Sequence, residues 1–182
     1  MSGKLIMRVL QILVASLAVS PSVWAHSNLF HGQSFITGWL RPFTGVDHLL
    51  VMLGIGVWAV RCHGSLRITI PSLFLGFMVV GALLGGQFQN TFLIESLILA
   101  SIVVTVLFFT GKLKISTPFI WAAVAVMGMA HGGAHGMEMV SGITPSAYFL
   151  GFLSATLVLH LSGMMAGHFA FRLIERADSR RA

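Results

Sequence analysis

The sequence predicts an all-α fold: a polytopic helical membrane protein, with an N-terminal signal peptide followed by about five transmembrane helices. Composition is the first reason. The 182 residues are 56% hydrophobic and only 9% charged, with a mean hydropathy of +0.90, whereas soluble domains carry roughly 25% charged residues. Run length is the second, because successive apolar segments approach or exceed the ~20 residues that cross hydrocarbon. The third is that basic residues gather in alternate loops, as orientation signals do. A soluble globule and a disordered chain are both excluded, since neither hides so much apolar surface behind so few charges. The runs are long and lack alternation, which excludes an outer-membrane barrel.

Residues 1–25 read as the signal peptide. Lys4 and Arg8 precede an apolar stretch from Val9 to Val19, then Pro21 and Val23-Trp24-Ala25. Compact residues at those last positions suit signal peptidase, with cleavage after Ala25 and His26 as the new N-terminus. An uncleaved anchor is the alternative. Residues 26–41 form a periplasmic or interfacial segment, of which 33–41 extend the first span or lie in the interface. Residues 42–171 form the transmembrane bundle, with spans at 42–60, 67–88, 91–111, 117–140 and 145–171. Residues 172–182 are a basic cytoplasmic tail.

Loop charge sets the orientation. Arg61 and Arg67 flank the first loop, Lys112 and Lys114 occupy the third, and Arg172, Arg176, Arg180 and Arg181 fill the tail. The second and fourth loops have no basic residue. Positive loops stay cytoplasmic. The chain is therefore expected in the bacterial inner membrane, with its mature N-terminus periplasmic and its C-terminus inside. The net charge of +6 and pI near 10.8 reflect this pattern and not a nucleic-acid surface. One cysteine, Cys62, allows no intrachain disulfide. No repeat or second domain is visible.

Ionisable groups inside the spans carry the functional signal. A charge at the bilayer centre costs about 2.5–3.5 kcal/mol on insertion scales, so such groups usually face a bundle interior. Here they are Asp47 and His48, Glu95, the trio His131, His135 and Glu138, then His160 and His168. Spacings of four and three put His131, His135 and Glu138 on one helical face. Two imidazoles and a carboxylate on one stripe make half a site for a first-row transition metal. The plainer reading is a histidine pair that hydrogen-bonds between helices. Gly128, Gly132 and Gly136 recur on a neighbouring stripe, where another helix can approach closely.

Depth orders these groups. At ~1.5 Å per residue, His48 lies ~9 Å below Pro42, Glu95 ~6 Å below Thr91 and His135 ~9 Å below Ser141. His131 is a turn deeper, and His160 lies ~22 Å from Pro145. The polar groups thus descend from the periplasmic side, as an ion path would. Asp47 is either a ligand or the group that orients an imidazole. His26 and His31 sit at the periplasmic mouth, as collectors of the ion or as ordinary polar residues. His168 is an inner ligand or a surface histidine. The ten methionines read as apolar packing.

Several motifs in order resemble the HupE/UreJ family of nickel permeases, which accompany hydrogenase and urease genes. The first is Arg41-Pro42-Phe43-Thr44-Gly45-Val46-Asp47-His48-Leu49-Leu50, preceded by His31-Gly32 and Ser34-Phe35. Glu95 with Ala100-Ser101-Ile102-Val103 is similar to the family's third span. The box from His131 to Glu138 is a His-Gly-x-Ala-His-Gly-x-Glu. Tyr148, Gly151-Phe152, Ala155-Thr156, Leu159-His160 and Gly163 are similar to the last span. Arg41 departs from the pattern: the family has histidine there, and a fixed cation should repel a divalent metal.

The resemblance implies a permease and not an enzyme, passing Ni²⁺ inward to supply a nickel enzyme such as hydrogenase or urease. Asp47, His48, Glu95, His131, His135, Glu138 and His160 would be its ligands, with His26 and His31 outside. Mixed imidazole and carboxylate ligands suit Co²⁺ and Zn²⁺ as well. No permanently bound cofactor is expected. The partners are the divalent ion and the lipid bilayer, with a homo-oligomer open. Rival readings are a metal-holding assembly factor or metallochaperone, a di-metal oxygenase, a zinc hydrolase and a bis-histidine haem carrier.

Overall fold

The computed structural model describes residues 34–88, 90–110, 115–137 and 146–180. The expected signal peptide, His26, His31 and Glu138 lie outside the described residues. Six α-helices follow in order: α1 (Phe35–Thr44), α2 (Val46–Arg61), α3 (Leu66–Leu84), α4 (Thr91–Thr110), α5 (Thr117–Met137) and α6 (Ser146–Ser179). A short 3₁₀ turn, Gly85–Gln87, ends α3. Among the described residues there is no strand.

Three of these segments are long and apolar enough to cross a membrane, Leu66–Gln87, Thr91–Phe109 and Ser146–Ala177. A fourth is counted if α1 and α2, bent by 87°, are one broken span. Helix α5 has 21 residues, a length of ~30 Å. Its two histidines and four glycines dilute its apolar content.

The first span differs from expectation. Pro42 does not open it but lies buried within α1, and the apolar helix starts at Val46. Proline suits a helix start, yet the stronger break is Gly45, whose backbone is extended (φ −105°, ψ 117°). Helix α1 has its own start signal upstream: the Ser34 hydroxyl accepts from the Thr37 N–H while the Ser34 N–H donates to Thr37 Oγ1, a reciprocal cap. The last helix also exceeds expectation. No breaker follows Phe171, so the segment expected as tail stays helical to Ser179.

Small residues decide the packing. Between apolar helices in lipid, association rests on close van der Waals contact, which glycine permits. Gly128, Gly132 and Gly136 of α5 lie on the backbone of Phe74, Met78 and Ala82 of α3. Gly163 and Gly167 of α6 lie on the backbones of Leu53 and Val57 of α2, and Gly56 of α2 lies on the backbone of His160 to Met164. Residue numbers rise together from Phe74/Gly128 to Ala82/Gly136 and from Leu53/Gly163 to Val57/Gly167, so α3 runs parallel to α5, and α2 to α6. Helix α1 crosses the start of α6, with Gly38 against Tyr148 and Gly151 against Phe35. Helix α4 lies on α2 and α5. The core between these helices is Val51, Met52, Ile55, Phe74, Met78 and Phe152, all at most 1% exposed.

Candidate metal site

The bend at Gly45 builds the first side of the site. It puts Asp47 and His48 in the opening turn of α2, where a carboxylate also complements the helix dipole. Asp47 Oδ1 accepts the His48 backbone N–H at 2.8 Å and lies 3.1 Å from His48 Nδ1. A carboxylate holding one ring nitrogen leaves the other turned toward a partner. Gly45 gives that carboxylate its room, for a Cβ there would stand 2.8 Å from Asp47 Oδ1 and 3.3 Å from His48 Nδ1. The glycine of the Gly-x-Asp-His motif thus has a steric reason.

Helix α5 builds the second side. Its glycine stripe faces α3, and this turns His131 and His135 inward. They are 0% and 5% exposed. The His131 Nδ1–H donates to the Met127 carbonyl at 2.8 Å, the local bond open to a helical histidine. That bond leaves the Nε2 lone pair available.

The two sides meet. The His48 ring lies 4.7 Å from the His131 ring and 4.9 Å from the His135 ring, centroid to centroid, nearly edge-on to both. Phe152 of α6 closes over His135 at 4.2 Å. The Nε2 atoms of His48 and His131 are buried with no hydrogen-bond partner, a costly state for polar atoms unless something else binds them. Among the described residues no group of three His, Cys, Asp or Glu is closed around a single ion position.

His160 stands apart from this cluster. It is fully buried on α6, its Nδ1–H donates to the Thr156 carbonyl at 3.2 Å, and its Nε2 has no partner. Phe74 touches both groups, 5.4 Å from the His131 ring and 5.3 Å from the His160 ring.

Glu95 does not join the histidines. It is exposed on α4, in one outward stripe with Phe92, Leu99, Val103 and Leu107. The buried stripe of α4 is Ile94, Ile98, Ser101, Ile102 and Thr105. Depth along the helix favours Glu95, but helical face decides against it. His168 is exposed near the end of α6, in agreement with the surface alternative. Sequence reading missed Phe74, which no spacing separates from the other phenylalanines, and met Phe152 only within the last-span resemblance, with no place at the site.

An apolar helical bundle with buried imidazoles at its seam defines a helical membrane protein with a polar interior site. Residues 13–181 match the family described as HupE / UreJ protein, and the chain belongs to that family. It is 32% identical over 151 residues to Protein HupE of Rhizobium leguminosarum bv. viciae, covering 83% of this chain and 78% of that protein. No solved structure matches the chain.

Proposed function

We propose that this protein is an inner-membrane permease passing Ni²⁺ inward, with Co²⁺ the alternative cargo, and that it feeds a nickel enzyme. One observation carries the reading: His48 from α2 meets both His131 and His135 from α5, inside a bundle of apolar helices. Imidazoles brought together from two distant chain segments are the donor type that first-row divalent metals take. The family link to hydrogenase and urease supports nickel over other divalent ions.

The mechanism is transient coordination. The ion, partly hydrated, exchanges water for the Nε2 atoms of His48 and His131. Asp47 fixes the His48 ring and lends negative charge to the mouth. His160 receives the ion deeper in the bundle. A path must release what it binds, so ligands are few and affinity modest. Alternating helix direction, with Arg61 and Arg67 flanking the loop between α2 and α3, supports a periplasmic mouth and a cytoplasmic C-terminus. In this reading the protein is a conduit and not an enzyme.

Uptake of radioactive nickel tests this. Cells expressing wild type should accumulate it, and cells with His131→Ala/His135→Ala at matched membrane expression should not. Cobalt, zinc and copper as competitors rank the cargo. If neither protein raises uptake of any of these metals, the permease reading is wrong.

A further inference from the structure

We propose that the Phe74 ring is the barrier of this conduit, closing the way between the outer imidazole cluster and His160. The inference rests on the path proposed above, but its test does not depend on transport. Three observations carry it. First, Phe74 is fully buried and is the ring that touches both His131 and His160, tilted 57° to one and 54° to the other. Second, His131 Nε2 and His160 Nε2 are both buried without a hydrogen-bond partner. Two imidazoles whose lone pairs could bind water or an ion thus share contact with one apolar ring. Third, Phe74 sits at a close helix contact: Gly128 of α5 lies directly on the Phe74 backbone.

The physics is that of an apolar constriction. Phe74, Met78, Phe152 and Met52 belong to one buried apolar cluster, and a passage opened through such a cluster holds water poorly, so that a hydrated ion would lose its shell there without gaining a ligand. Met78, one turn along α3, completes the apolar wall, and its sulfur receives the Thr156 hydroxyl at 4.0 Å. Passage therefore requires the ring to swing aside. A phenyl group has only two side-chain torsions, so it does this without moving the helix. The outer cluster is thereby a waiting site, and His160 a receiving site. Phe74 is a positioning and gating residue, not a ligand.

Cysteine accessibility decides it. In a Cys62→Ser background, His48→Cys and His160→Cys are each expressed with Phe74 intact, Phe74→Ala or Phe74→Leu. Whole cells are treated with a small membrane-impermeant thiol reagent. Labelling is then counted on the monodisperse purified fraction, so that only folded protein is scored. His48→Cys should label in every background. His160→Cys should stay at background with Phe74 intact, rise to the His48→Cys level with Phe74→Ala, and be intermediate with Phe74→Leu. Equal labelling of His160→Cys with all three residues at 74 overturns the barrier. A second readout separates gating from packing: nickel uptake should rise in Phe74→Ala if the ring is a barrier, and fall if it is only core. If wild type moves no nickel while the labelling pattern holds, the permease reading fails and the barrier stands.

Discussion

Gly132→Ala is the sharpest structural perturbation of this site. A Cβ at Gly132 would strike the Met78 carbonyl oxygen, 2.7 Å from its carbon and 2.9 Å from the Ala82 nitrogen. Relaxed contacts need about 3.5–4.0 Å, so α3 and α5 must part by ~1 Å. Overpacking of this kind costs ~1–3 kcal/mol. Gly76→Ala is the matched control, because a Cβ there meets nothing within 4 Å. It should gain about 0.5–1 kcal/mol from lower backbone entropy in the unfolded chain. The two alanines should therefore melt ~5–15 °C apart in detergent, with Gly132→Ala the lower, for a chain of this size. Function should follow the geometry. His131 precedes Gly132, and a ~1 Å shift exceeds the roughly 0.5 Å tolerance of a working constellation. Nickel uptake should drop about tenfold or more, as when the support of a ligand is lost. If Gly132→Ala melts with Gly76→Ala and takes up nickel at the wild-type rate, the close α3–α5 contact does not exist and the site is built otherwise.

Other substitutions probe the remaining parts. Asp47→Asn keeps the shape beside His48 but removes the charge, and should weaken nickel affinity about 10–100-fold as an orienting partner does; unchanged affinity would mean that His48 is not held by it. Coordination needs a neutral imidazole, so uptake should fall as the external medium goes from about pH 7.5 to about pH 5.5; a flat profile would rule out the imidazole scheme. Burial pushes the Cys62 thiol up, and Arg61 and Arg67 pull it only part of the way back. With its pKa raised, the folded protein holds less thiolate than the unfolded chain at a given pH. Maleimide should thus modify Cys62 more slowly in the native protein than in denaturant near neutral pH, with the gap closing as pH rises through the native pKa. Equal rates would contradict its half-buried position. Glu95→Gln should leave nickel uptake at the wild-type level, because Glu95 faces outward; a large loss would bring that residue back to the ion path.

Much of this was legible from residue spacing. His131 and His135 are four apart in a stretch whose glycines are also four apart, and period alone puts imidazoles and glycines on adjoining faces. The structure joins the glycines to α3 and leaves the imidazoles inward. Helix α4 was not legible in the same way. It is apolar on nearly every side, so no pattern tells which stripe turns inward, and neither the depth of Glu95 nor its place in the third-span motif fixes its face. The expected first span opens at Pro42, a residue at home at a helix start, but Pro42 lies inside α1. Gly45, whose missing Cβ makes room for Asp47 Oδ1, turned out to be the break. Phe74 belongs to a set of 14 phenylalanines, and only its neighbours across the bundle distinguish it.

The bundle can be understood as two glycine-packed pairs, α3 with α5 and α2 with α6. Each pair is locked backbone to backbone, so each behaves as one piece. His131, His135 and Phe74 belong to the first pair, and His48, Phe152 and His160 to the second. Apart from Phe74 on His131, the ring contacts that define the site cross between them: His48 to His131 and His135, Phe152 to His135, and Phe74 to His160. Across the seam it is rings that meet, whereas the backbone contacts of Gly128 on Phe74 and of Gly56 on His160 lie within each pair. The seam is therefore where side chains, and not helices, carry the register, and where an ion can replace ring contacts without unpacking a helix pair. A buried polar site at the seam of two rigid bodies keeps its ligands aligned while leaving them free to exchange, which is the requirement on a place that must bind an ion and then let it go.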